Sequence, residues 1–120
     1  MARLIALTIF ALSLPAVAAE PKLPISSGRY EFQHKFAEQP EMHNEPVTVV
    51  IKGHHITIIN EGPSGTFPHG IIGDGTLMWH SKSKQWILGY RKSDREVEDV
   101  GGCSDGPEVV DLKNRIFWTC

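Results

Sequence analysis

The chain has 120 residues, 41% of them apolar and 22% charged, with a formal net charge of −2. That length supports one domain with one modest core and leaves no room for a second. The mildly acidic balance excludes the basic surface that a nucleic-acid partner requires, and with Lys82-Ser83-Lys84 and Asp94-Arg95-Glu96 as the only dense charge patches a polybasic membrane tether is excluded as well.

Met1 to Ala19 read as a cleavable secretory signal: Arg3 supplies the positive start, Leu4 to Leu14 an apolar run, and Pro15 to Ala19 the small residues of a cleavage site. The apolar run is far shorter than the roughly 20 residues that span a bilayer, so no membrane anchor is expected. Residues 20–120 then form a single exported domain, periplasmic or secreted. Losing Arg3 leaves 11 lysines and arginines against 14 acids, a formal charge of −3. The chain has no Asn-x-Ser/Thr sequon, which points towards a bacterial periplasm. In an exported chain two cysteines predict one disulfide, Cys103 to Cys120, and the wide spacing is unlike that of a redox pair.

Glu20 to Ser27 is an aperiodic lead-in. Tyr30, Phe32, His34 and Phe36 alternate with polar residues, the period-two signature of a half-buried strand. After a polar loop from Ala37 to Pro46, Val47 to Lys52 and His55 to Asn60 form a hairpin around Gly53-His54. Phe67 to Ile72 reads as a separate strand ended by Gly73-Asp74-Gly75. Thr76 to His80 and Gln85 to Arg91 make a second hairpin, and Glu108 to Leu112 with Arg115 to Thr119 a last one. Between them Ser93-Asp94-Arg95-Glu96 has the spacing of a capping box, Val97 and Val100 lie three apart, and Gly101-Gly102 supplies a stop, which predicts a helix of two turns. The expected fold is all-β: an antiparallel up-and-down barrel of eight strands with one short helix, closed so that no sheet edge is left open, with a two-sheet β-sandwich as the alternative.

Gly28-Arg29-Tyr30 opening the first strand, together with Arg115 on the last, resembles the early Gly-x-Trp and late Arg of the lipocalin and calycin barrels, with Tyr30 standing where those barrels have Trp. The outline is also similar to that of small exported barrels with one disulfide that inhibit lysozymes or proteases. Both resemblances concern architecture, and architecture does not fix function.

His34 shares its face with aromatic residues, so it is either a neutral, hydrogen-bonded core histidine or the polar contact of a ligand cavity. A small apolar ligand would then meet His34, Trp86 and Tyr90. Apolar residues on both faces of several strands predict packing under the helix and lead-in, a homodimer surface, or a protein-partner site anchored by Trp79, Phe67 and Phe117. The six histidines include no His-x-His, HExxH or Cys/His cluster, and His54 and His55 point to opposite faces, so no metal and no cofactor is expected. Glu61 to Gly65 lacks the spacing of a nucleophile elbow, and Gly70, Gly73 and Gly75 lack that of a phosphate loop. The expected function is a non-enzymatic exported binding module. An inhibitor of a protein target requires a filled interior and a protruding loop, Glu61 to Phe67 or Ala37 to Pro46; a carrier requires a cavity near His34 and Trp86. The alternative is a small periplasmic hydrolase or isomerase with a histidine or carboxylate site.

Overall fold

The computed structural model describes residues 20–101 and 103–120, with positions 5, 8 and 9 besides; the expected signal otherwise lies outside the described residues. Seven strands follow in chain order: β1 (Gly28–Phe36), β2 (Glu45–Lys52), β3 (His55–Asn60), β4 (Gly70–His80), β5 (Gln85–Gly89), β6 (Val110–Asp111) and β7 (Ile116–Thr119). They form one sheet in the order β5-β4-β3-β2-β1-β7-β6. The two ends of that sheet meet: Ile87 of β5 bridges Val109, and the Leu88 N–H donates to the Glu108 carbonyl at 2.9 Å. The result is a small, nearly closed β-barrel.

Two features depart from the simple meander. The segments read as two strands, Phe67 to Ile72 and Thr76 to His80, are largely one: β4 runs unbroken through Gly73 and Gly75. These glycines are close-approach positions. A Cβ on Gly75 would lie 2.6 Å from the Gly89 carbonyl oxygen, closer than two backbones allow. The register between β3 and β4 shifts after Ile58, a bulge that bends the long strand around the barrel. The second departure is the closure, because β7 pairs with β1 in parallel, Gln33 opposite Ile116 and Phe36 opposite Thr119.

The interior follows from alternation. Phe32 and His34 of β1, Val47, Val49 and Ile51 of β2, Ile56 and Ile58 of β3, and Trp86 and Leu88 of β5 point inward, joined by Leu77, Val110, Leu112 and Phe117. The interior is filled. Met78, Ile87 and Val109 form a second buried cluster, covered by Val100 and Trp118. Leu23 and Ile25 of the lead-in pack on the main core. Most of the surplus apolar residues are therefore consumed by intramolecular packing, and Ile71 and Tyr90 remain widely exposed.

The expected two-turn helix is a single 3₁₀ segment, Lys92–Glu96. Asp94 rather than Ser93 organises it, with Oδ2 accepting from the Tyr90 and Arg91 backbone N–H groups at 2.8 and 3.1 Å. His80, fully buried at the end of β4, fastens the chain that follows: its Nδ1 accepts from the Ser83 N–H at 3.2 Å, and its Nε2 donates to the Val97 carbonyl at 2.6 Å. The disulfide joins Cys103 to Cys120 with their Cα atoms 4.6 Å apart.

Candidate functional site

The direction of the strands decides which residues can meet. β1 and β7 end at one mouth of the barrel, where β2 begins, β3 ends and β4 begins. β4 ends and β5 begins at the other. His34 therefore belongs to the first mouth and Trp86 to the second.

At the first mouth His34 is 1% exposed and its Nε2 lies 2.6 Å from the Thr119 hydroxyl. Phe36 and Phe67 stand edge-on to its ring at 4.6 and 4.7 Å, and Phe117 is 6.1 Å away. Nδ1 is buried with no hydrogen-bond partner among the described residues. Phe67 arrives here because residues 61–69 fold back over the barrel. The Asn60 amide donates to the Phe67 carbonyl at 3.1 Å, and the Thr66 hydroxyl donates to Glu45 at 2.8 Å. Of the two loops expected to protrude, Glu61 to Phe67 is held by these hydrogen bonds, with Phe67 turned to His34 and residues 61–66 exposed.

Burial holds the His34 imidazole below its ordinary value of 6.5, with Glu45 opposing in part. The unfolded chain consequently binds its proton at a higher pH than the fold does. Native stability is full above about pH 6.5 and falls as the pH drops from there towards the folded value. Burial pushes the half-buried Glu108 carboxyl up, which gives the opposite slope. Replacing His34 with Gln is therefore expected to flatten the acid-side loss that wild type shows in urea midpoints measured from about pH 7 down to pH 5. An unchanged slope would mean that other groups govern it.

At the second mouth lies a cleft of about 500 Å³, within the size range of small-molecule sites. It opens where the β5 to β6 seam is left unpaired beyond Ile87 and Val109. Trp79 and Trp86, directly opposite on β4 and β5, contribute two indoles 5.4 Å apart, edge to face. Trp118, on the outward face of β7 one residue before Thr119, lines the same cleft from the side of the open seam, so every tryptophan of the chain lines this one cleft. Trp86 is 7% exposed and forms its floor. Pro21 and Pro24 of the lead-in make one wall, while the Glu20 carboxylate accepts from the Trp79 backbone N–H at 3.1 Å and pairs with His54 at 3.5 Å.

The rim is basic. Lys22, Lys84 and Lys113 all line the cleft and make no ion pair among the described residues. Asp111, the single carboxylate of the lining, is occupied by the Asn114 backbone N–H and side-chain amide at 3.0 and 2.9 Å. A second cleft of about 470 Å³, around Arg29, Thr48 and Glu61, differs in that Glu61 binds both of the others.

Comparison with protein families, curated proteins and solved structures finds no significant match. The Arg115 guanidinium lies 5.0 Å over the Tyr30 ring. Among the residues singled out from sequence, Trp86 and Trp79 come together in the cleft. Tyr90 is 65% exposed and apart from it, and neither cleft is lined by His34. Phe117 is 2% exposed inside the barrel and is not displayed as a surface anchor, while Phe67 is half-buried against His34. The sequence marks Lys84 only as part of a charged turn, and gives no site signal for Trp118, Lys22 or Lys113. The one signal for Trp118 was its alternation with Phe117: one of the pair faces in and the other out. No group of three or more potential metal ligands converges among the described residues.

Proposed function

We propose that this chain is an exported, non-enzymatic binding module that takes its ligand in the tryptophan cleft. The observation that carries this reading is the gathering of all three tryptophans, with three lysines that make no ion pair among the described residues, in one cleft of a barrel whose interior is otherwise filled. Indoles expose much apolar area at little conformational cost, and a few placed polar groups set orientation, which is how ligand sites are built. Export is supported by the Met1 to Ala19 pattern and by the disulfide. The filled interior disfavours a carrier that swallows an apolar molecule.

The test is a ligand screen read by tryptophan emission and native mass spectrometry. Any ligand that binds wild type is expected to lose about 10- to 100-fold in affinity in Trp118→Ala, the usual size of a truncated aromatic anchor. A ligand held equally well by Trp118→Ala and by Trp79→Ala would refute the site.

A further inference from the structure

We infer that the ligand of this cleft is an anionic saccharide, seated with its ring faces on Trp79 and Trp118 and its acidic group between Lys84 and Lys113. The inference rests on the reading of the cleft as the ligand site and names the class of molecule it takes.

Three observations narrow the class. The first is charge: three lysines line the cleft with no carboxylate partner among the described residues, so the lining carries cations left free for an anion. An ammonium is a point charge that suits a carboxylate or a sulfate, and a charge-assisted hydrogen bond is stronger than a neutral one.

The second is the mixture of surfaces. Partly exposed indoles sit beside the Gln85 amide, which makes no side-chain hydrogen bond among the described residues, and beside Asn114, whose Oδ1 is likewise uncommitted. A lipid chain would strip water from these amides and ammonium groups and return nothing. A sugar ring presents a C–H face to an indole and hydroxyls around its edge to the amides, so it satisfies both kinds of wall at once.

The third is Lys84 itself. It ends the Ser81 to Lys84 turn at φ 55°, a left-handed conformation that glycine or asparagine enters at lower cost. Arg115 takes the same conformation, φ 56°, at the end of the β6 to β7 turn, and what distinguishes Lys84 is that its cation lines the cleft.

The disulfide-intact protein would be titrated with a galacturonate trisaccharide, a sulfated heparin tetrasaccharide and neutral chitotriose, following tryptophan emission and heat. At least one of the two acidic sugars is expected to bind at least about 10-fold more tightly than chitotriose and to weaken as salt is raised. Lys84→Gly and Lys113→Gln are each expected to cut that affinity several-fold, with Lys84→Gly as stable as wild type or more so. Whichever acidic sugar binds identifies the anion, and either supports the inference. Equal binding of chitotriose would overturn the charge selection while leaving the cleft as the site. Failure of all three sugars, with another ligand still lost in Trp118→Ala, would overturn the saccharide class alone. A sugar bound equally by wild type and Trp118→Ala would overturn the inference and the site together.

Discussion

Alanine at Phe117 is expected to destabilise the barrel by about 3–5 kcal/mol, the usual cost of emptying an aromatic site in a packed core. Phe117 is almost fully buried, pairs with Val110 on one side and His34 on the other, and fills the barrel where the parallel and antiparallel ladders of β7 meet. Small domains are stable by only about 5–15 kcal/mol, so this single change removes a large share of the total. Urea unfolding should show the midpoint fall with the slope unchanged. Phe117→Leu, nearer in volume, should cost about 1.5 kcal/mol or less and gives a folded comparison if the alanine variant does not accumulate. A loss under about 1 kcal/mol for alanine would mean that this part of the interior is not packed as described.

The second large effect is expected from the disulfide. Cys103 and Cys120 are separated by 17 positions, and closing a loop of that length is worth roughly 3 kcal/mol in the chain-entropy account. The bridge also has a local task. It holds the residue after Thr119, and Thr119 is both the last rung of the parallel ladder and the hydrogen-bond partner of His34. A Cys103→Ser/Cys120→Ser double variant should therefore melt roughly 12–24 °C below wild type. The reduced wild type should match it. A shift of less than about 4 °C would show that the parallel ladder closes the barrel without covalent help.

Much of the fold was legible because its signals are local. The alternation of β1, the tight turn at Gly53-His54 and the cysteine pair all point to all-β architecture with one bridge, and the structure has both. What misled was Gly73 to Gly75. Glycines mark turns and also places where two backbones nearly touch, and only the position of Gly89, distant in sequence, separates the two meanings. That one extra strand had a consequence for the site. Each antiparallel connection reverses direction, so counting one strand too many moves Trp86 to the mouth that holds His34. Taken as continuous, β4 carries Trp86 to the opposite mouth beside Trp79, in the cleft. The choice between Phe117 and Trp118 as the inward residue was likewise invisible, since alternation gives a period and not a sign. Register with β1 and β6 supplies the sign.

The parallel pairing of the first and last strands also governs how the chain reaches its fold. Gln33 must find Ile116, and His34 must find Thr119 across 85 residues of sequence. β7 sits inside the sheet, between β1 and β6, rather than at its margin. The sheet therefore cannot be completed until the C-terminal residues are present, however early the β1 to β5 hairpins form. Such distant contacts place folding in the slow class, milliseconds to seconds, and leave the long side of β1 unsatisfied in the interval. A newly made chain would spend that interval with an open strand available to any other extended segment, which makes the last four residues of sheet the step that ends its exposure to misassembly.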